Sequence, residues 1–137
     1  MKEDFCTYSQ AVRLKKLGFD WECIAEYGVE PDGKPILIGS TAFVFRNPEE
    51  KGRDVTAPSL SQATKWLRDV RGLIVCCEPR FYRGRRPLMG YDYHLYNKED
   101  GSYSHIASKE VYDTYEAALS AGLDAALKLL EENSSSN

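Results

Sequence analysis

Apolar side chains recur at spacings of three and four in three stretches of the chain, and a similar short polar signature opens each one. The signatures are "TYSQA" from Thr7, "SLSQA" from Ser59 and "TYEAA" from Thr114. In the first, Thr7 can accept from the free amides of a helical first turn while Gln10 reaches back to the Thr7 amide, a capping box. Ala11, Leu14 and Leu17 then form one stripe, and Gly18 supplies a left-handed stop. Ser59 and Gln62 repeat the box, followed by Leu60, Ala63, Trp66, Leu67 and Val70 up to Gly72. At the third site Asp113 with Glu116 makes a box one residue early, and Thr114 is the alternative cap. Leu119, Leu123, Ala126, Leu127 and Leu130 give the longest stripe of the chain. The shared signature is therefore helix punctuation, and no regular repeat connects its three copies.

Between these helices the period changes. Residues 22–29 and 35–45 read as strands around "PDGK", where Asp32-Gly33 signals a hairpin. The polar segment "RNPEEKGRDVTAP" reads as a mobile loop. "LIVCCEPRFY", from Leu73, is nearly continuous in apolar residues and suits the middle of a sheet. "YDYHLYN" and "SYSHIAS" flank "KEDG" and predict a second hairpin. The order of elements predicts an α+β fold: a mainly antiparallel sheet of about five strands with three helices, largely on one face. Residues 1–132 are expected to form a single α+β domain and residues 133–137 a disordered tail. Ala118, Ala121, Gly122 and Ala125 allow close backbone approach to the third helix, by packing on the sheet or by self-association.

Composition narrows the functional classes only slightly. The chain has 137 residues, of which 42% are hydrophobic and 28% charged, with a net charge of −3. Such a charge offers no global attraction to nucleic acid or to anionic lipid, so polyanion binding needs a local basic patch. An acidic, polar amino terminus and the lack of any long apolar run point to a cytoplasmic protein without a membrane partner. Cys6, Cys23, Cys76 and Cys77 are accordingly expected as free thiols of core type.

The second hairpin carries the first candidate surface. A two-residue turn at Asp100-Gly101 sets Tyr96 opposite His105, whereas a four-residue "KEDG" loop sets His94 opposite His105 and Tyr96 opposite Tyr103. The two registers differ by two residues and so assign the same faces. Tyr91, Tyr93, Leu95 and Ile106 share the face under the helices, and Asp92, His94, Tyr96, Tyr103 and His105 share the other. That second face reads as a half-exposed amphipathic surface or as a stacking and partner-binding surface. Two histidines and a carboxylate are also ordinary ligands for a metal, but no ligand-spacing motif supports one, and no metal or cofactor is expected.

"RFYRGRRP" is the second candidate. Arg80, Arg83, Arg85 and Arg86 alternate with Phe81 and Tyr82, giving +4 locally and leaving −7 on the rest of a chain whose net charge is −3. Guanidinium forks match phosphate geometry and the aromatics can stack on bases, while the bland alternative pairs the arginines with nearby carboxylates. Phosphate-binding glycine loops, dinucleotide fingerprints and nucleophile elbows are absent from the sequence. A non-enzymatic role is therefore expected.

The blocks "CTYSQAVRLKKLGFD", "APSLSQATKWLRDVRGL" and "YDTYEAALSAGLDAALKLL", in that order, resemble a group of small phage- and prophage-associated proteins of gut Bacteroidetes. The resemblance implies a cytoplasmic, mobile-element setting and brings no activity or site residue with it. The resulting expectation is an accessory protein-binding module, as a homodimer or with an unknown partner. Its alternative is a nucleic-acid-binding protein. The candidate binding surface is Arg80, Arg83, Arg85, Arg86, His94, Tyr96, Tyr103 and His105.

Overall fold

The first capping box forms as its residues require. In a computed structural model of the chain, describing residues 4–39, 45–47, 54–83, 87–99 and 106–135, the Gln10 amide donates to Thr7 Oγ1 at 3.2 Å. The Thr7 amide donates back to Gln10 Oε1 at 2.9 Å. Helix α1 (Tyr8–Lys16) follows and stops at Gly18, whose φ of 99° only glycine adopts at no steric cost. It buries Ala11 and Leu14.

The chain divides into two compact units, residues 1–59 and 60–137. In the first unit, β1 (Ala25–Val29) pairs antiparallel with β2 (Pro35–Gly39). Gly33, at φ 90°, turns the chain between Glu30 and Lys34, and the Cys23–Phe45 bridge continues the hairpin. Residues 46–58, predicted as a loop, contribute a strand instead. β3 (Val55–Thr56) pairs with the other edge of β1, giving the order β2-β1-β3. Val55, Thr56 and Ala57 are all buried. Asn47 fastens the approach by accepting from the Thr56 amide and donating to the Phe19 carbonyl. Tyr27 closes the unit with a 2.6 Å hydrogen bond to the Cys6 carbonyl and an edge-to-face contact with Tyr8.

The second unit begins with α2 (Leu60–Val70), which starts directly after Ser59 and buries Leu60, Ala63, Trp66 and Leu67. Val70, assigned to the stripe by spacing, is exposed. Gly72 ends the turn at φ 69°. β4 (Leu73–Phe81) and β5 (Leu88–Asn97) pair antiparallel over almost their whole length, and β6 (Ile106–Ala107) adds to β5 in the order β4-β5-β6. The described strands thus form two three-stranded antiparallel sheets within the α+β fold. Among the described residues β4 is an edge strand and not a central one, a position that tolerates Pro79, which lacks a ladder donor. The pairs His94–Ala107 and Leu95–Ile106 are those that the two-residue turn predicts.

Helix α3 (Tyr115–Ser135) is capped by Thr114, whose hydroxyl accepts from the Ala117 amide at 3.0 Å, and not by Asp113. It runs to Ser135, so residues 133–135 are helical where a disordered tail is expected. Its predicted stripe of Leu119, Leu123, Ala126, Leu127 and Leu130 is buried throughout. Gly122 meets the sheet at Val75 and Tyr93: a Cβ there would stand 2.7 Å from Val75 Cγ1. The small residues Ala118 and Gly122 therefore serve close packing of α3 on β4 and β5. Among the described residues no helix is long and apolar enough to cross a membrane.

Candidate functional site

Alternation along two paired strands decides which side chains meet. Val75, Cys77, Tyr91, Tyr93 and Leu95 lie on the sheet face that receives α3, as shown by Gly122 against Val75 and Tyr93 and by Tyr91 against Tyr115. The opposite face carries Cys76, Glu78 and Arg80 from β4 and Asp92, His94 and Tyr96 from β5. Cross-strand partners there are Cys76 with His94 and Glu78 with Asp92.

This pairing sets two carboxylates directly opposite each other, an arrangement that repels unless positive or donor groups intervene. Two groups do. Arg80 Nε donates to Asp92 Oδ2 at 2.6 Å, and the His94 ring sets Nε2 3.1 Å from Asp92 Oδ1 and 3.6 Å from Glu78 Oε2. Asp92 is only 2% exposed and His94 8%. Glu78 and Arg80, by contrast, reach solvent with more than half of their side-chain surface. Tyr96 stacks on His94 with ring centroids 6.3 Å apart. A buried carboxylate is thus held between a guanidinium and an imidazole, with a second carboxylate at the rim.

Asp92 and His94 therefore do not belong to an open amphipathic face; both are buried, and Tyr96 is half-buried. Tyr103 and His105 lie outside the described residues. Glu78, which sequence reasoning left out, completes the cluster. Its signal was the i, i+2, i+4 alternation of Cys76, Glu78 and Arg80 along β4, useful only once the register with β5 is known.

Cys76 faces His94 across the strands, but this pair does not make an activated thiol. Burial pushes the Cys76 thiol up, and the charges of Glu78 and Asp92 push it further. A nucleophilic thiolate needs the opposite environment. Cys77, on the helix side, is likewise raised to about 11 by burial.

The arginine-rich segment divides between two roles. Arg80 is committed to Asp92, so it is not a free phosphate ligand. Arg83 follows Tyr82 at the outer end of the β4–β5 hairpin, and Arg85 and Arg86 lie outside the described residues. Phe81 pairs with Leu88 across this end, after a register shift at Arg80/Phe81. Phe81 is 59% exposed, Tyr82 55%, Leu88 43% and Met89 41%. The same hairpin thus carries a buried polar cluster in its body and an apolar, arginine-bearing surface at its end. Searches against family models, curated proteins and solved structures find no match to this chain.

Proposed function

We propose that the protein is a non-catalytic binding module, in a mobile-element setting, that holds a protein partner at the outer end of the β4–β5 hairpin. The observation that carries this reading is the exposure of Phe81, Tyr82, Leu88 and Met89 together on the two arms of one hairpin. Large apolar side chains grouped in this way are costly to leave in water and are common at the centre of partner interfaces. Arg83 beside them, and Arg85 and Arg86 next in the sequence, match a partner surface of apolar residues bordered by carboxylates. A second copy of this chain, with an overall charge of −3, is one such partner.

The test is a photo-crosslinking amino acid placed at Tyr82, compared with one at Asp124 on the exposed side of α3. The expected result is a discrete crosslinked protein at position 82 alone, lost on Phe81→Asp. Equal crosslinking from both positions overturns the reading. Sedimentation of the wild type and of Phe81→Asp identifies a homodimer, if that is the partner.

A second reading rests on the neighbouring Phe81, Tyr82 and Arg83, which suit base stacking with phosphate contact. It requires salt-sensitive binding to single-stranded oligonucleotides that Arg83→Glu abolishes. Failure to bind at low ionic strength eliminates it.

A further inference from the structure

We infer that Glu78, Asp92 and His94 form a binding site for one divalent metal ion of the zinc type. The inference does not depend on the docking role of the hairpin end. One donor atom from each of the three residues lies within 4.8 Å of the other two. His94 Nε2 stands 3.1 Å from Asp92 Oδ1 and 3.6 Å from Glu78 Oε2. Zinc–nitrogen and zinc–oxygen bonds of about 2.0–2.2 Å place neighbouring ligands of one ion roughly 3.3–3.6 Å apart in a tetrahedron. The imidazole nitrogen therefore already stands from each carboxylate at nearly the separation that a shared ion imposes, and the two carboxylate oxygens lie within 4.8 Å of each other.

Three features distinguish this group from a chance gathering of surface acids. The donors are of mixed chemistry, with an imidazole nitrogen next to both carboxylates, a set that suits zinc-type ions better than calcium or magnesium, which favour all-oxygen cages. The Asp92 side chain is 2% exposed and that of His94 11%, on a strand paired at both edges, so their positions are fixed by the sheet. Arg80 binds Asp92 Oδ2, the oxygen that His94 does not approach, and leaves Oδ1 directed toward the imidazole. An outer partner of this kind orients a ligating carboxylate. Formal charges of two carboxylates and one guanidinium leave the group at −1 with neutral histidine, which a dication overcompensates only slightly.

Coordination through Nε2 requires the tautomer whose hydrogen is on Nδ1, so the ion replaces the present His94–Asp92 hydrogen bond. Glu78, at the rim, is the ligand that closes over the ion from the solvent side. Three protein ligands leave a fourth position for water or for a donor from a partner. Cys76 faces His94 but is not one of the mutually close donors.

The experiment uses the full chain, purified without a histidine tag and stripped with chelator, titrated with Zn²⁺ against a chromophoric competitor. One ion per chain is expected, with a dissociation constant at or below about a micromolar. His94→Ala and Glu78→Gln should each weaken it by roughly tenfold or more. Glu78 is more than half exposed, so Glu78→Gln tests the site even if His94→Ala does not fold. In ¹⁵N-edited spectra the His94 ring nitrogens should shift to the Nδ1–H pattern on addition of Zn²⁺. The inference is overturned by the absence of stoichiometric binding at about 10 μM protein, by binding that both variants leave unchanged, or by Ca²⁺ binding as tightly as Zn²⁺.

Discussion

Raising the pH above 9 should destabilise the 1–59 unit through two buried thiols. Cys6 is 0% exposed and Cys23 2%. Burial lifts the Cys6 thiol from 9.0 to about 12, with a further contribution from the neighbouring Cys23, and burial lifts Cys23 to about 11. Well below pH 9 both thiols are protonated whether the chain is folded or not, so they do not affect the balance. Between pH 9 and the raised folded values, the unfolded chain releases protons that the folded chain retains. The unfolded state is then favoured by about 1.4 kcal/mol per pH unit for each thiol. Integrated over its window, Cys6 alone accounts for about 4 kcal/mol, a large part of the stability of a small domain. The assay is urea unfolding of the wild type and of Cys6→Ala between pH 8 and 11. The lost packing of the thiol shifts the variant at every pH and cancels when the two pH profiles are subtracted. What remains should grow by about 1.4 kcal/mol from pH 9.5 to 10.5, with the wild type losing more. Profiles parallel to within about 0.3 kcal/mol would refute the assignment of a buried, protonated Cys6.

Other outcomes follow from single contacts. Arg80→Met strands the buried Asp92 carboxylate without its guanidinium and should cost about 3 kcal/mol in chemical denaturation, whereas Glu78→Gln at the rim should change stability by less than about 0.5 kcal/mol. Thr114→Ala should remove about 1 kcal/mol by uncapping α3, while Asp113→Ala should be close to neutral; the reverse order would restore Asp113 as the cap. Gly90→Ala should lower the melting temperature, because its Cβ would collide with the Tyr112 carbonyl oxygen and stand 2.7 Å from Val111 Cγ1. The expected cost is about 1–3 kcal/mol, and an unchanged melting temperature would contradict that packing.

The helices were legible because their information is local. Thr7 and Gln10, or Leu119 through Leu130, identify an element without reference to anything distant, and both sets behave as their spacing requires. The strand at Val55-Thr56 was not legible, since two residues in a polar stretch show no period and are strand only through pairing with Glu26 and Tyr27. The division of the strands between two sheets was hidden for the same reason. At the site, the faces of β5 were readable from alternation, and so was the company of Asp92, His94 and Tyr96. Their burial was not, because alternation assigns a face without saying whether that face is covered. Glu78 entered only through the cross-strand register, which a shift at Arg80/Phe81 conceals from sequence. Arg80 and Arg83 look equivalent in "RFYRGRRP", yet a strand position commits the first to Asp92 and leaves the second at the hairpin end.

The contact of Gly122 with Val75 and Tyr93 has a bearing on how this chain can change over evolutionary time. Position 122 cannot accept a methyl group while position 75 keeps both of its own, since the two would stand 2.7 Å apart. The two sites are therefore coupled as a volume: shrinking 75 to Ala or Ser relieves the shortest contact of an Ala at 122, which then still presses on Tyr93 Cβ at 3.1 Å. Descendants and relatives of this chain should show the two positions changing together. A library randomised at both would recover folded members along that diagonal, a record of helix-to-sheet distance written in residue choice and readable without further coordinates.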